Sequence, residues 1–400
     1  MPYVWLFFIG LIAVLLLYGD VQSRNSVHIS AEKAAAIEYK KWPIWTTVEP
    51  AESRIRMLWV LHDYVPFVNA GSEICAHTIN KYLTSMPYKY DVWVASPGFP
   101  KCTYNGIRCF DLHDTDLFHK VLDSSHILNS HSYNYRRQML YLSRITGKPF
   151  VEWVHTDNYV RSVGTAWCDS RLAGRQWTVF NSQSLRDGRK DIPDTHTRIF
   201  YPIVDYHDYG VESEKRAPRY VTLSNVNENK GGQLLIQLAK ALPEMEFQGI
   251  LGGYRKQIKA HGIPNLRYVQ HTTEIKDVYA KTWVLIMPSK EETWGRTAVE
   301  AMSSGIPVIV APTPGLRECC DKAAIYIDRG DLDSWVTTLR RLRDDKEYYN
   351  ARSTAALQRA RALDPAPELE AMDKWLETTV KPSAVAGRSL GFFEKNLMFR

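Results

Sequence analysis

The stretch SKEETWGRTAVEAMSSGIPVIVAPTPG (residues 289–315) predicts one β-α-β unit of a parallel sheet. It follows the apolar run WVLIMP (283–288) and contains a second such run, PVIVAP (307–312). Short continuous apolar runs are typical of strands that are buried on both faces. Apolar residues recur at helical spacing between the two runs, namely Ala298, Ala301 and Met302. A strand, a loop, a helix and a second parallel strand therefore follow one another here.

Two carboxylates lie in this unit, Glu292 in the predicted loop and Glu300 in the early helix. Open α/β sheets bind ligands at this edge, outside the carboxyl ends of their strands. Carboxylate oxygens accept hydrogen bonds from paired hydroxyl groups, so the pair indicates a sugar or ribose. Any phosphate on that ligand would need a cation from elsewhere in the chain. A helix-capping glutamate followed by a solvated one gives the same spacing without any ligand.

Length and composition bound what surrounds this unit. A chain of 400 residues is longer than one compact core usually holds, so two domains of roughly 150 to 200 residues are expected. The hydrophobic fraction of 45% and the charged fraction of 24% are those of a globular protein. The net charge of +6 comes without a clustered basic helix or zinc-finger spacing, which argues against a nucleic-acid partner.

The N-terminal stretch YVWLFFIGLIAVLLLYG (3–19) is uncharged and apolar, which predicts a single uncleaved membrane anchor. Lysine and arginine appear only after it, so the positive-inside rule favours a cytosolic catalytic part. The six cysteines show neither metal-ligand spacing nor a disulfide framework, and no N-x-S/T sequon occurs. Both observations fit a reducing compartment.

Two successive series of strand-like runs predict an α/β protein with two Rossmann-like lobes whose parallel sheets face each other across a cleft. The first series begins at RIRMLWVL (54–61) and the second at RYVTLSN (219–225). We expect an anchor, a linker, two lobes and a tail, at residues 1–19, 20–52, 53–205, 218–378 and 379–400.

Each lobe has a glycine-containing loop after its first strand. Gly71, in HDYVPFVNAGSE (62–73), would let the backbone come close to a ligand, although an ordinary helix-capping turn has the same sequence. In the second lobe, Lys230 precedes a predicted helix in NVNENKGGQLLIQLA (225–239). A lysine at such a position is suited to a pyrophosphate group and supplies the cation that the glutamates require, while a surface lysine is the alternative.

Taken in order, these motifs resemble those of the retaining family-4 glycosyltransferases of GT-B fold, over about residues 54–378. The resemblance rests on Gly-Ser-Glu (71–73), Lys-Gly (230–231), and Glu-Thr-Trp-Gly-x4-Glu (292–300) followed by Ala-Met-x2-Gly-x-Pro-Val (301–308). It implies a nucleotide-diphospho-sugar donor held by the C-terminal lobe, and a glycan, lipid or protein acceptor bound by the N-terminal lobe. No cofactor and no metal ion are implied.

The resemblance also implies roles for particular residues. Glu300 would bind the donor ribose and Glu292 the transferred sugar, which the backbone of Trp294 and Gly295 would approach. Lys230 would stabilise the departing diphosphate, and the loop around Gly71 would lie near the phosphates. His155, in EWVHTDN (152–158), matches a histidine that donates a hydrogen bond near the reacting sugar.

One position departs from the family pattern. Asn225 stands where the family commonly carries an arginine, five residues before the lysine. An arginine forks onto two phosphate oxygens and an asparagine does not, so another cation must substitute or the diphosphate is held less strongly. Arg255 and Arg296 are the candidates for that cation, and the sequence does not rank them.

Three alternatives remain open at this point. A metal-dependent transferase would use Asp114 and Asp116 of HDTDLF, but Asp114 or Thr115 is also placed to cap the next helix. A nicotinamide-linked oxidoreductase would need a G-x-G-x-x-G opening a helix, which neither lobe has. The third alternative is a nucleotide-sugar-binding protein of the same fold with little or no transferase activity. The reason to consider it is Asn225, which replaces the family arginine.

Overall fold

The computed structural model describes residues 41–48, 54–131, 135–156, 174–189, 192–252, 255–270, 272 and 274–384. The chain divides into two compact units. The N-terminal unit contains the described residues up to Phe180, then Arg189–Phe200, and those from Leu369 onward. The C-terminal unit contains Asn181–Gly188 and Tyr201–Glu368. The chain thus crosses between the units more than once.

The N-terminal unit is built on a sheet of eight strands in the order β3-β4-β2-β1-β5-β6-β7-β8. The strands are β1 (Ile55–Val60), β2 (Tyr90–Ser96), β3 (Cys102–Tyr104), β4 (Ile107–Asp111), β5 (Ile127–Ser130), β6 (Phe150–Val154), β7 (Gln176–Phe180) and β8 (Thr197–Ile199). All neighbours pair in parallel except β3 with β4. Every residue of β1, β2 and β6 is buried, which explains why their sequences are mostly apolar.

Three helices of this unit are α1 (Gly71–Thr84), α2 (Thr115–Ser124) and α3 (Arg136–Thr146). Asp114 is the N-cap of α2, and its carboxylate accepts a hydrogen bond from the backbone N–H of Leu117 at 3.1 Å. The HDTDLF motif therefore starts a helix, as its capping interpretation predicted.

The C-terminal unit is built on a fully parallel sheet in the order β11-β10-β9-β12-β13-β14. Its strands are β9 (Tyr220–Ser224), β10 (Glu246–Ile250), β11 (Leu266–Val269), β12 (Thr282–Met287), β13 (Val308–Val310) and β14 (Ile325–Tyr326). The chain builds outward from β9 to β11 and then returns to build from β12 in the other direction. The order reverses between β9 and β12, and a doubly wound sheet binds ligands at this switch point.

The helices of the C-terminal unit flank this sheet. They are α4 (Gln183–Asp187), α5 (Tyr206–Tyr209), α6 (Gly232–Ala241), α7 (Ile275–Lys281), α8 (Arg296–Met302), α9 (Pro314–Cys320), α10 (Leu332–Asp344) and α11 (Lys346–Ala362). A last helix, α12 (Ala366–Trp375), carries the chain from this unit back to the N-terminal one. The fold class is therefore the predicted one, α/β with two Rossmann-like units of parallel sheet.

The predicted membrane localisation needs correction. Across the part of the chain that the structure describes, no helix is long and apolar enough to cross a membrane. The stretch expected to form the anchor, residues 3–19, lies outside the described residues, as does most of the expected linker 20–52 and of the tail 379–400.

A buried ion pair joins the first two strands of the N-terminal unit. Arg56 on β1 and Asp91 on β2 are directly opposite in the parallel register, and the Arg56 Nε lies 2.7 Å from the Asp91 Oδ2. The two side chains are 0% and 5% exposed. Two buried charges of opposite sign stabilise a fold only while both are present, because either one alone is an uncompensated buried charge.

We expect Asp91→Asn to destabilise the N-terminal unit by about 3 to 5 kcal/mol, because it leaves the Arg56 guanidinium buried without its carboxylate. The measurement is the unfolding midpoint of the purified protein in urea. The matched control is Glu212→Gln, which breaks an exposed pair with Lys215 and should leave the midpoint unchanged. Equal midpoints for Asp91→Asn and the wild type would show that the buried pair contributes nothing.

Candidate active site

Two loops meet at the switch point of the C-terminal sheet, one after β9 and one after β12. The backbone N–H of Lys290 donates to the Asn229 carbonyl oxygen at 2.7 Å, which ties one loop to the other. Gly231 has a φ of +97°, and a Cβ on it would lie 2.4 Å from the Pro288 Cγ. Only glycine therefore fits where the loop after β9 approaches the end of β12.

The structure pairs Lys230 with Glu292, the lysine of one loop with the first glutamate of the other. The Lys230 Nζ donates to the Glu292 Oε1, and the Ser289 hydroxyl donates to the same oxygen at 2.8 Å. The backbone N–H of Lys230 is held by the Asn227 Oδ1 at 3.0 Å. Because the two side chains are 23% and 13% exposed, the pair is partly shielded and still open to solvent. The sequence anticipated the cation and the carboxylate, and the fold brings them together.

Glu300 is the centre of a second polar cluster in the same unit. Its carboxylate accepts hydrogen bonds from the Tyr279 hydroxyl at 2.9 Å and from the Arg296 Nε at 2.7 Å. Arg296 also donates to the Ile203 carbonyl oxygen at 2.6 Å and to the Tyr209 hydroxyl. Burial, with the Glu300 charge added to it, holds the pKa of Tyr279 well above its ordinary value, so this hydroxyl stays protonated and donates.

Sequence reasoning missed Tyr209 and Tyr279 as partners in this cluster. Tyr279 is on α7 and lies 21 residues before Glu300 in the chain, and nothing in its local sequence marks it. The pairing of Arg296 with Glu300 did have a signal, since the two residues are four apart on one helix.

Trp294 and Gly295 join the two clusters. Trp294 is 4% exposed, and its ring stacks on Tyr201 with centroids 4.5 Å apart. Gly295 has a φ of +124°, and a Cβ on it would lie 2.6 Å from the Leu316 Cδ2. This backbone conformation and this closeness both require glycine, so α9 packs directly against the turn between Glu292 and α8.

Asn225 has a left-handed backbone, with a φ of +61°. Its side-chain oxygen accepts from the Asn227 Nδ2 and from the Gln257 Nε2, each at 3.0 Å. A Cβ on Gly252 would lie 2.2 Å from the Asn225 Cγ, so the amide fills the space beside that glycine. The position that carries an arginine in the related pattern is thus occupied by a short, fixed amide.

The two candidate replacement cations differ in what they bind. The Arg296 guanidinium is committed to Glu300 and its neighbours, as described above. Arg255 is exposed, and it forms no ion pair with any residue that the structure describes. Its carbonyl oxygen accepts from the Gln257 Nε2 at 3.1 Å, and Gln257 in turn binds Asn225. The Arg255 backbone is therefore tied to the Asn225 side chain through one residue.

Gly71 and His155 belong to the N-terminal unit. Gly71 is the first residue of α1, and a Cβ on it would meet nothing within 4 Å, so neither crowding nor a positive φ requires glycine there. His155 directly follows β6. Burial lowers the pKa of His155 to about 3, and the neighbouring His131 adds to this effect. The imidazole is therefore neutral at neutral pH and offers one N–H donor.

The fold of this chain has known structural neighbours. The structure is similar to that of Anabaena Alr3699/HepE in complex with UDP and glucose, with a TM-score of 0.63 and 14% sequence identity over 81% of this chain and 100% of that one. Sucrose-phosphate synthase from Thermosynechococcus elongatus gives a TM-score of 0.63 at 13% identity, over 80% of this chain and 98% of that one. The architecture is the GT-B fold.

A family match lies in the sequence of the C-terminal unit. Residues 210–359 match the family of glycosyl transferases group 1. Both polar clusters lie within the matched residues, namely Lys230 with Glu292 and Arg296 with Glu300. The resemblance seen in the sequence motifs is confirmed.

Curated relatives match over shorter stretches. Sulfoquinovosyl transferase SQD2 of Arabidopsis thaliana is 29% identical over 160 residues, which are 38% of this chain and 31% of that protein. D-inositol 3-phosphate glycosyltransferase 1 of Catenulispora acidiphila is 31% identical over 116 residues, 28% of this chain and 27% of that protein. The chain thus aligns with about a third or less of the length of these relatives.

We expect Gly315→Ala to destabilise the C-terminal unit by about 1 to 3 kcal/mol, because the added methyl group overpacks a full site. A Cβ there would lie 2.4 Å from the Glu292 carbonyl oxygen. Thermal unfolding measures the loss. Gly188→Ala is the control in the same unit, since its Cβ would meet only the Leu185 carbonyl oxygen at 3.4 Å. If both variants have the melting temperature of the wild type, the contact between α9 and the Glu292 turn is not tight.

Proposed function

We propose that this protein transfers a sugar from a nucleotide-diphospho-sugar to an acceptor hydroxyl group, with retention of the anomeric configuration. The observation that carries the proposal is the meeting of Lys230 and Glu292 at the switch point of a glycosyl transferases group 1 sheet. A cation beside a hydroxyl-binding carboxylate matches a ligand that is a sugar at one end and a diphosphate at the other. The structural neighbour from Anabaena was solved with UDP-glucose, which supports a donor of this class.

In this proposal, Glu300 binds the donor ribose. An ionised carboxylate offers about four acceptor positions. Tyr279 and the Arg296 Nε take two of these and fix the orientation of the group. The remaining positions accept the two ribose hydroxyls.

Glu292 and Lys230 act at the other end of the donor. Glu292 accepts from hydroxyls of the transferred sugar, which the backbone of Trp294 and Gly295 approaches. Lys230 turns from Glu292 to the diphosphate, since an ammonium has three donors and binds a phosphate as a point charge. Negative charge grows on the leaving diphosphate during the reaction, so a fixed cation there stabilises the transition state more than the ground state.

His155 and the loop around Gly71 are the contribution proposed for the N-terminal unit. The His155 imidazole donates a hydrogen bond to the reacting sugar as a neutral group, in keeping with its lowered pKa. The loop around Gly71 would lie near the donor phosphates. The acceptor is a glycan, lipid or protein that presents a hydroxyl group.

The experiment that tests the function offers the full-length protein a panel of UDP-, GDP- and ADP-sugars with hydroxyl acceptors. We expect release of one nucleoside diphosphate, and NMR of the product should show the anomeric configuration of the donor. Inversion at the anomeric carbon would contradict the retaining mechanism. Tight binding of a donor without release of a nucleoside diphosphate would instead favour a nucleotide-sugar-binding protein, the alternative that Asn225 raises.

We expect Lys230→Ala to lower kcat by about 100- to 1000-fold, because it removes a preorganised charge from the developing diphosphate. Donor affinity should fall less than kcat, since the interaction strengthens in the transition state. Steady-state kinetics and donor titration separate the two effects. Lys240→Ala, an exposed lysine in the last turn of α6, is the control and should behave as the wild type. A Lys230→Ala enzyme with normal kcat would remove the lysine from the mechanism.

Arg255 is the cation that we propose in place of the family arginine. Its backbone is tied to Asn225 through Gln257, and its guanidinium is not paired with any described carboxylate. Arg296 does not serve, because leaving Glu300 would break three hydrogen bonds of its own cluster. Asn225 then acts through Gln257, by holding the segment that carries the replacement.

We expect Arg255→Ala to weaken binding of the preferred nucleoside diphosphate by about 10- to 100-fold, the range of one charge-assisted hydrogen bond. Binding of the corresponding nucleoside should not change, because it has no phosphate. Calorimetric titration of both ligands measures this. Lys256→Ala removes the same charge from the next residue and should leave both affinities intact. Loss of affinity for the nucleoside as well would place Arg255 away from the diphosphate.

A further inference from the structure

Three neighbouring strands of the N-terminal sheet are followed by histidines at their carboxyl ends. His62 follows β1, His131 follows β5 and His155 follows β6, and these strands are adjacent in the order β1-β5-β6. The order of this sheet reverses between β1 and β5, so its switch point is at these residues. Only His155 was expected from the sequence motifs. The fold adds two further imidazoles at the same edge of the sheet.

His131 lies between Glu73 and His155. Its side chain is 2% exposed, and its Nε2 is 3.8 Å from the Glu73 Oε1. Its ring meets that of His155 edge to face, with centroids 5.5 Å apart and an interplanar angle of 83°. Glu73 is in the first turn of α1, and its other oxygen accepts from the Ser72 hydroxyl at 2.8 Å. A continuous chain of contacts therefore runs from the start of α1 to His155.

Burial leaves the His131 ring neutral. Burial lowers the pKa of His131 to about 4, although the Ser72 backbone and Asp63 favour its charged form, and His62 opposes it. Burial also raises the pKa of Glu73. A neutral imidazole has one N–H, and the group facing each nitrogen decides which of the two carries it. The Glu73 oxygen that faces Nε2 lies 3.8 Å away, beyond hydrogen-bond distance, and the negative charge density on that oxygen favours the proton on that nitrogen.

We propose that His131 is a positioning residue, which Glu73 orients and which in turn holds the His155 imidazole in its working orientation. This inference rests on the proposed function, because His131 would position His155, the residue proposed to bind the reacting sugar. A histidine placed only to fill space would be a costly choice, since an apolar ring of similar size needs no partner. His131 lies beside an acidic group at the ligand-binding edge of the sheet. There its ring nitrogens can orient a neighbouring functional group.

Four variants separate positioning from packing. His131→Phe keeps a ring beside His155 but has no N–H for Glu73. Glu73→Leu removes the acceptor, and Glu73→Gln restores an acceptor oxygen at nearly the same place. The control is His119→Phe, because His119 is a buried histidine of the same unit whose ring also meets an aromatic neighbour, Phe118, edge to face at 5.6 Å and 85°.

We expect His131→Phe and Glu73→Leu to lower kcat by about 10- to 100-fold, the range that follows from misplacing a group at a reacting centre. Donor KM should change little in either. Glu73→Gln should recover most of the lost turnover, and His119→Phe should have none of these effects. A His131→Phe enzyme with wild-type kcat would overturn the proposal, since it would reduce His131 to packing.

A second measurement does not depend on turnover. The ¹⁵N NMR shifts of His155 report which ring nitrogen carries the proton, and we expect one tautomer in the wild type and a mixture in His131→Phe. Unchanged His155 shifts in His131→Phe would overturn the inference even if the protein transfers no sugar. If the wild type releases no nucleoside diphosphate but the His155 shifts do change, the proposed function fails and the positioning contact stands.

Discussion

The approach of two loops at Gly231 and Pro288 is the constraint on which the C-terminal site depends. A side chain at Gly231 would occupy the same space as the Pro288 ring. The two segments can therefore approach each other this closely only because residue 231 is a glycine. That closeness brings the Lys230 ammonium to the Glu292 carboxylate. Opposite charges on adjacent strand ends then stabilise a geometry that backbone packing has already set. Local sterics come first here, and the electrostatics follow from them.

The strand series was predictable because each buried strand is a short apolar run bounded by polar residues. Two features escaped that reasoning, the β3–β4 hairpin and the edge strand β8. The hairpin has a local signal, since Asn105 and Gly106 both take positive φ values in its two-residue turn. The strand β8 has none, because its three residues are only partly buried and derive their structure from pairing with β7.

The candidate site was predictable only in part. Glu292, Glu300 and Lys230 stand in recognisable motifs, and their spacing indicated hydroxyl and phosphate chemistry. What each of them binds is a property of the fold. Tyr279 reaches Glu300 from another helix, and His131 reaches His155 from a neighbouring strand. Contacts between distant segments leave no trace in local sequence, so neither residue could have been chosen beforehand.

The left-handed backbone of Asn225 has a consequence for how this chain could have diverged from its relatives. Asparagine tolerates that conformation better than most residues that have a side chain, and its amide fits closely against Gly252. Once Gln257 and Asn227 bond to that amide, returning to a long cationic side chain would strain the backbone and break both bonds at once. The exchange is then reversible only through several coordinated substitutions. Members of the family that share the asparagine should therefore share its glycine and glutamine partners as well.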